Sequence, residues 1–131
     1  MTRFKLAAAA AVAALTAACA SSPAQFSNGV LTDSKGMTLY TFDKDPAHAG
    51  KSVCNGQCAQ NWPPLLAAGD AGSSGDWSIV VRDDGARQWA YQGKPLYLWV
   101  KDKQPGDKTG DGVNKVWHVV PQSAMRASSY Y

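Results

Sequence analysis

The sequence predicts a small, mainly β domain with antiparallel strands, and three observations support this. Gly-containing turns separate short apolar runs in TDSKGMT, RDDGARQ and YQGKPL, as in β-hairpins. One phrase occurs twice, as GMTLYTFDKD and GKPLYLWVKD, which indicates an internal repeat. All 10 acidic residues are Asp, and Glu, a good helix former, is absent. We therefore expect long loops and at most one short helix.

The turns divide the chain into short predicted elements. Strands are expected at Val30–Thr32, Met37–Phe42, Trp77–Arg82, Gln88–Tyr91, Pro95–Val100 and Val116–Val120. A short helix is expected at Gln57–Trp62, because two prolines follow it. Segments rich in Gly, Asp, Ser, Lys or Pro predict exposed loops at Asp45–Asn55, Ala67–Asp76 and Lys101–Asn114.

The repeated phrase places the same residue types on each face of its predicted strand. Because side chains alternate along a strand, Tyr40 and Phe42 share one face of the first copy, and Tyr97 and Trp99 share one face of the second. The Leu before each Tyr points to the opposite face. Each copy therefore offers an aromatic pair to one side and aliphatic packing to the other.

Two further residues recur after each copy. Asp45 and Asp102 follow the strands, where an Asp side chain can accept hydrogen bonds from backbone N–H groups and fix a turn. A loop and a Trp come next, Trp62 in NWPPLL and Trp117 in VWHVV. Since a two-stranded unit is marginal alone, we expect two hairpin-plus-Trp units to pack as pseudo-symmetric halves of one domain.

The chain length suits one domain after removal of a leader. We place the two-repeat domain at residues 29–122, with the first repeat at about 30–82 and the second at about 86–121. Residues 123–131 are expected to form a tail.

Residues 1–18 have the pattern of a secretory signal peptide. Arg3 and Lys5 give a positive start, and Leu6–Ala18 is an apolar run of 13 residues. A membrane-spanning helix needs about 20 apolar residues, so this run is too short to be one. The sequence therefore predicts an exported protein.

LTAAC, which ends at Cys19, resembles a bacterial lipobox, although Thr16 stands where Leu is usual. We expect a lipid on Cys19, with residues 19–28 as lipidated N-terminus and flexible tether. No Asp follows the Cys, which is typical of sorting to the outer membrane, with the domain on its periplasmic face. The alternative is cleavage after Ala20 or Ala24, which would release a soluble protein.

The charge balance gives no support for a nucleic-acid partner. The chain has 13 Lys and Arg residues against 10 Asp, and removal of Arg3 and Lys5 with the leader leaves 11 against 10, a net charge of +1. The basic residues are scattered singly rather than grouped in a run or stripe.

Four segments together resemble a known family: LTDSKGMTLYTFDKD, CNGQCAQNWPPL, QWAYQGKPLYLWVKD and PGDKTGDGVNKVWHVV. They are similar to bacterial lipoproteins with a Y-x-[FWY]-x-x-D motif, also described as a secreted repeat of unknown function. The resemblance covers about residues 30–120. The two motif copies are Tyr40, Phe42, Asp45 and Tyr97, Trp99, Asp102. The resemblance implies an envelope lipoprotein without an assigned biochemical role, and it supplies no catalytic residues.

Cys54 and Cys58 are expected to form a disulfide in an oxidising compartment. Closing a five-residue loop stabilises the fold by only about 2 kcal/mol, so the bond would fasten a loop rather than hold the domain together. The alternative is a Cu(I) or thiol-redox site, in which the two thiolates act with His48, Met37 or His118.

Other motifs carry weaker chemistry. DKTGDG imitates the start of a Ca²⁺ loop, with Asp107, Thr109, Asp111 and Gly112 in place, but position twelve is His118 rather than Glu. An ordinary Asp/Gly turn is the simpler interpretation. The sequence has no Gly-x-Ser-x-Gly elbow, and its spacing suggests no Ser or Cys partner for either His. We therefore expect no catalytic residues and no obligatory cofactor.

Aromatic residues give the binding hypothesis. Most of them are needed for packing, since a buried ring removes about 150–250 Å² from water. The most dispensable for packing are Trp77 and Trp89 near turns and Tyr130 and Tyr131 in the tail, and these could stack on glycan. The leading expectation is a non-enzymatic binding or structural-interaction module of the cell envelope, whose partner is another envelope protein or peptidoglycan.

Overall fold

The computed structural model describes residues 22–127 and confirms the mainly β fold. The strands in this part of the chain are β1 (Gln25–Ser27), β2 (Val30–Thr32), β3 (Tyr40–Phe42), β4 (Trp77–Val81), β5 (Arg87–Tyr91), β6 (Lys94–Pro95) and β7 (Trp117–Val119). The helices are α1 (Gln57–Asn61), a 3-10 turn (Val113–Lys115) and α2 (Ser123–Ala127). All strand pairs are antiparallel: β1 with β2, β3 with β7, and β4 with β5 with β6.

Two hairpins turn through two residues with positive φ. Asn28 and Gly29 join β1 to β2 with φ of 52° and 86°, and Gln92 and Gly93 join β5 to β6 with φ of 49° and 80°. Positive φ at both central residues defines the type I′ turn, whose twist matches that of the flanking strands. The repeated phrases align Gly93 with Gly36, which also has positive φ, so the β5–β6 turn corresponds to the turn at Gly36 and the β1–β2 hairpin corresponds to β4–β5.

The two copies of the repeated phrase cross at their tyrosines. The backbone N–H of Tyr40 donates to the carbonyl of Tyr97 at 2.8 Å, and the N–H of Tyr97 donates back at 2.9 Å. On its other side, Tyr97 bridges to Pro64, as Tyr40 pairs with Val119 of β7. The tyrosines therefore lie at the centre of a pseudo-two-fold arrangement.

The last segment of each half of the molecule forms backbone hydrogen bonds with a strand of the other half. We define the first half as residues 25–66 and the second half as residues 77–121. Leu31 of β2 donates its N–H to Val120 in the second half at 2.9 Å, and Trp89 of β5 donates to Leu65 in the first half at 2.8 Å. The halves are therefore interlocked by exchanged segments rather than packed side by side.

The core has two layers, as the alternation of side chains predicts. An aliphatic cluster holds Leu39 and Leu96, and an aromatic cluster holds Tyr40, Tyr97 and the two Trp residues that follow the motifs. The Leu and Tyr side chains of both repeated phrases are completely buried. Consecutive residues of each repeated phrase thus belong to opposite layers.

Several boundaries differ from the expectations. Residues 25–27, expected within the tether, form β1, because Asn-Gly provides a hairpin turn. The segment Trp77–Arg82, assigned to the first repeat, pairs with β5 of the second half. A second helix, α2, occupies part of the predicted tail, so the limit of one short helix was too low. The signal peptide and Cys19 lie outside the described residues.

The two long predicted strands are shorter in the structure. Of the predicted Met37–Phe42 only Tyr40–Phe42 is a strand, and of the predicted Pro95–Val100 only Pro95 is, as the last residue of β6. The reason is that the hydrogen-bond partner changes at each step: Leu39 donates to Leu31, whereas the next residue donates to the opposite phrase. No single neighbour follows either segment along its whole length.

Candidate functional site

The Asp of each motif binds the Tyr of the other motif. The hydroxyl of Tyr40 donates to Oδ2 of Asp102 at 2.6 Å, and the hydroxyl of Tyr97 donates to Oδ2 of Asp45. All four side chains are buried. The Tyr and the Asp of one motif copy therefore do not bind each other. Each forms a hydrogen bond to the other copy, and this exchange cannot be predicted from one copy alone.

The second oxygen of each carboxylate fixes the loop that follows it. Oδ1 of Asp45 accepts the N–H of Val53 at 2.7 Å. Oδ1 of Asp102 accepts both the N–H of Thr109 at 3.0 Å and its hydroxyl at 2.6 Å. The prediction that these Asp residues bind backbone N–H groups is therefore confirmed. Each Asp also binds a tyrosine hydroxyl of the other repeat, which was not predicted.

A buried polar chain extends the Tyr97–Asp45 pair. The single hydroxyl proton of Tyr97 goes to the carboxylate, so the hydroxyl of Ser52 donates to the phenol oxygen. Arg82 in turn donates to Ser52 at 2.9 Å and to Gln88 at 2.7 Å. The chain connects a buried cation to a buried anion through two hydroxyls, which compensates for the desolvation of both charges.

The hydroxyl of Tyr40 has a different second partner. It accepts a hydrogen bond from the backbone of a glycine, whereas the Tyr97 hydroxyl accepts one from Ser52. Gly110 donates its N–H to the Tyr40 hydroxyl at 3.2 Å. A Cβ at this position would lie 2.9 Å from the rings of Tyr40 and Trp62. Only glycine lets the loop approach the rings this closely.

Burial raises the pKa of both phenols. For Tyr40 and for Tyr97, desolvation is the largest cause, followed by the hydrogen bond to the partner carboxylate, since an anion beside the phenol opposes its ionisation. Both tyrosines therefore remain neutral hydrogen-bond donors at neutral pH.

Four rings form a continuous stack through the aromatic cluster. Phe42 lies 4.3 Å from Trp117, Trp117 lies 3.8 Å from Trp62, and Trp62 lies 3.9 Å from Trp99, measured between ring centroids. The outer two rings come from the motifs and the inner two from the Trp residues that follow them. The stack therefore obeys the same pseudo-symmetry as the backbone.

Cys54 and Cys58 form a disulfide, with their Cα atoms 5.2 Å apart. Cys54 is completely buried against the aromatic cluster, and its carbonyl accepts a hydrogen bond from Arg82. The disulfide therefore fastens the loop before α1 to the buried polar chain.

The copper alternative finds its residues dispersed. His118 forms an exposed pair with Asp43, 2.8 Å apart, with side chains 44% and 52% accessible. His48 lies against Gly93 and donates its backbone N–H to that residue, and Met37 is half-buried. Within residues 22–127, no group of three or more His, Cys, Asp and Glu side chains is placed to hold a metal ion. Copper binding by the reduced cysteines stays a prediction.

The carboxylates of the DKTGDG segment bind backbone groups. Oδ2 of Asp107 accepts the N–H groups of Lys103 and Gln104 at 2.8 and 3.2 Å, and Oδ1 of Asp111 accepts that of Val119 at 3.2 Å. These bonds are those of an Asp/Gly turn, the simpler of the two interpretations.

A surface groove of about 740 Å³ lies beside the aliphatic cluster. Phe26, Trp77 and Tyr91 line it, together with Asp76 and Met125. Trp77, one of the residues expected to be dispensable for packing, thus lines a cavity. The Trp89 ring meets the Trp77 ring edge to face, with the two ring centroids 6.1 Å apart. Tyr130 and Tyr131 lie outside the described residues.

The sequence alone predicts little of this groove, and of the polar chain it indicates Tyr97 and Asp45 but not Ser52, Arg82 or Gln88. Phe26 falls within the predicted tether, although the Asn28-Gly29 pair just after it is typical of a hairpin turn. The sequence predicts Arg82 as the last residue of one strand and Gln88 as the first residue of the next, with no contact between them. The period of two along β5 puts Gln88 on the same face as Ala90, and both are buried. A polar residue on a core face was the available signal.

A family model described as a secreted repeat of unknown function matches residues 25–66 and again residues 78–121. The chain belongs to this family. The two matches of the secreted-repeat family coincide with the two interlocked halves, and they place β4 in the second repeat. Membership of the family makes the chain an exported protein.

Comparisons with curated proteins and with solved structures found no match. None of the helices in the described part of the chain has the length and apolar character needed to cross a membrane.

Proposed function

We propose that this secreted-repeat protein is a lipid-anchored component of the cell envelope that acts as a non-enzymatic binding or structural-interaction module. Cys19 carries the lipid, and the domain lies on the periplasmic face of the outer membrane. Its partner is peptidoglycan or another envelope protein. The observation that supports binding is the surface groove, where aromatic side chains and a carboxylate line a cavity of a size typical of ligand sites.

The motif residues support this proposal by their position. The tyrosines and aspartates of both copies are buried and bonded across the two halves. Their side chains maintain the shape of the domain, so recognition belongs to residues between or around the motifs.

The groove also lies near the proposed anchor. Ser22 lines it and stands three positions after Cys19 in the sequence. Even a fully extended chain covers only about 10 Å over that distance. The groove would therefore face the membrane surface or the space just above it.

Anchoring is tested by expression of the wild type and of Cys19→Ala in a Gram-negative host. The wild type is expected in the membrane fraction with a mass increased by the acyl chains, and Cys19→Ala in the soluble periplasmic fraction. An unmodified wild-type protein in the soluble fraction would contradict the lipid anchor.

Binding is tested by crosslinking in intact envelopes. A photo-crosslinking residue at Met125, on the rim of the groove, is compared with one at Val81, which is exposed on the same domain outside it. We expect one defined adduct from position 125 and none from position 81. Equal or absent labelling at both would contradict the binding role.

A further inference from the structure

We infer that the Cys54–Cys58 disulfide is a thiol–disulfide exchange site, at which an external thiolate attacks the sulfur of Cys58 and Cys54 is the leaving group. This inference goes beyond the proposed function, because it assigns covalent chemistry to a different surface. The cavity beside Cys58 has a volume of about 400 Å³ and shares no lining residue with the groove.

The two cysteines differ in their access to solvent. Cys54 has no exposed surface, whereas Cys58 is half-buried and lines the cavity. Exchange requires the attacking thiolate to reach a disulfide sulfur from outside. Only Cys58 meets this condition, so the structure selects one of the two sulfurs as the point of attack.

The cavity has room and charge for an incoming thiolate. Phe42, Trp62 and Trp117 of the aromatic stack line it together with Cys58. Among its described lining residues, Lys44 carries the only formal charge, and its side chain is exposed. A positive charge at the entrance favours the approach of an anionic thiolate, which is the reactive form of a thiol.

Hydrogen bonds that involve no sulfur atom hold both cysteines in place. Cys54 donates its N–H to the hydroxyl of Ser52 at 3.2 Å, and its carbonyl accepts a bond from Arg82. The carbonyl of Cys58 accepts the N–H of Trp62 at 2.8 Å. Reduction breaks none of these bonds, so the two thiols stay positioned to form the disulfide again. A reversible site requires this, whereas closing a five-residue loop stabilises the fold by only about 2 kcal/mol.

In the exchange step, the attacking sulfur forms a bond to Sγ of Cys58 while the bond between Cys54 and Cys58 breaks. The electron pair of that bond leaves on Sγ of Cys54, which takes up the proton that the attacking thiol lost. A second thiolate attacks the external sulfur of the mixed disulfide and releases Cys58, which takes up the second proton. Two external thiols are thereby oxidised to a disulfide, and the protein disulfide is reduced to two thiols. An external disulfide reverses the sequence.

The test uses the exported chain with Cys19→Ser, so that Cys54 and Cys58 are its only cysteines. Glutathione is the small-thiol probe, and a thioredoxin that keeps only its attacking cysteine is the protein probe. The reaction is quenched with acid, and peptide mapping by mass spectrometry locates the attached thiol. We expect about tenfold more mixed disulfide at Cys58 than at Cys54 with at least one probe.

Equal labelling of the two cysteines, a majority at Cys54, or no exchange of the folded protein with either probe overturns the inference. Exchange that is faster with thioredoxin at equal thiol concentration identifies a protein thiol as the source of the thiolate. Exchange that is faster with glutathione identifies a small thiol.

Two single-cysteine variants provide a second measurement in the same Cys19→Ser background. Cys54→Ser keeps the accessible thiol, and Cys58→Ser keeps the buried one. With oxidised glutathione, we expect Cys54→Ser to be modified about 100-fold faster than Cys58→Ser, because only its thiol lies at the cavity. Circular dichroism checks that both variants are folded. Equal rates in two folded variants would contradict the assignment of Cys58.

A pair of lysine variants tests the cavity as the route of attack. Lys44→Gln should slow the reaction with glutathione, which carries a net negative charge, about threefold at low ionic strength. Lys35→Gln replaces another exposed lysine outside the cavity and should leave the rate unchanged. Equal rates in the two variants would overturn this route. None of these results affects a crosslinked partner at position 125, so this inference and the proposed function can fail separately.

Discussion

Tyr97 and Tyr40 each donate a hydroxyl proton to a carboxylate that belongs to the opposite repeat. Hydrogen bonds to charged groups contribute about 1.5–3 kcal/mol when buried, more than those between neutral groups. The two exchanged bonds therefore couple the stability of one repeat to the sequence of the other. The two copies of the motif are therefore complementary, because the Tyr of each copy needs the Asp of the other as its hydrogen-bond acceptor.

A double-mutant cycle tests this exchange. Tyr97→Phe and Asp45→Asn should each lower the free energy of unfolding by about 1–3 kcal/mol. Because both substitutions affect the same Tyr97–Asp45 hydrogen bond, their effects should show a coupling energy of about 1 kcal/mol or more. Tyr97→Phe and Asp102→Asn should be additive. The measurement is chemical denaturation of the single and double variants. Coupling within the first motif copy, between Tyr40 and Asp45, would contradict the exchange.

The same phenols give the protein a specific alkaline sensitivity. Their pKa values are raised above the ordinary value of about 10 by burial and by the adjacent carboxylates. The folded state therefore binds these protons more tightly than the unfolded state. This contribution to stability is complete below about pH 10 and is lost as pH rises through the folded-state pKa.

We accordingly expect the melting temperature to fall more steeply above pH 10 in the wild type than in Tyr97→Phe, because the variant has one fewer phenol to ionise on unfolding. Thermal melts between pH 8 and 11 by circular dichroism measure the difference. Tyrosinate absorbance at the same pH values checks the ionisation directly. Parallel decline of both proteins would show that the buried phenols do not set the alkaline limit.

At the scale of elements, the disulfide tests which parts of the fold depend on one another. It spans only four positions and fastens a loop whose other attachments are the polar chain and Asp45. Reduction is expected to lower the free energy of unfolding by about 2 kcal/mol and the melting temperature by about 10 °C, leaving the domain folded. Calorimetry with and without reductant provides the measurement.

The Cys54→Ala/Cys58→Ala variant is the control, since reductant should not change its melting temperature. Complete unfolding on reduction would mean that the loop holds the domain together. Stoichiometric copper binding by the reduced protein, absent from the control, would instead support the copper alternative.

Local pattern sufficed for the elements whose pairing is local. The alternation around Tyr40 and Tyr97 predicted the two core layers, and the prolines after Trp62 marked the end of α1 within one residue. Pairing between distant segments was not predictable from either copy alone. The exchange of Val120 and Leu65 between the halves depends on a hydrogen bond at each site, and backbone groups carry no sequence signal.

The site was harder to predict than the fold for the same reason. Trp77 was recognised as a candidate, but the groove also needs Phe26 from β1 and Met125 from α2. Those residues are about 50 positions from Trp77 in either direction. Their proximity follows from the interlocked halves, which only the three-dimensional structure reveals.

At the scale of the whole molecule, the interlocked halves predict that neither repeat folds alone. The exposed segment between Gly72 and Ser73 provides a place to divide the chain. Fragments 22–72 and 73–127 should each lack fixed tertiary structure, because each exposes a hairpin that awaits the other's final segment. Mixed at micromolar concentration, they should form a folded 1:1 complex, measured by near-ultraviolet circular dichroism and by analytical ultracentrifugation.

Leu65 and Leu66 supply the matched control for this association. Leu65 packs against the aliphatic cluster and exchanges backbone hydrogen bonds with Leu96 and Trp89, whereas the Leu66 side chain is 63% exposed. Leu65→Asp in the first fragment should weaken the complex strongly, since it places a charge against the aliphatic cluster at a partly buried position, and Leu66→Asp should leave it intact. Independent folding of fragment 22–72 would show that the exchanged segments are not what joins the repeats.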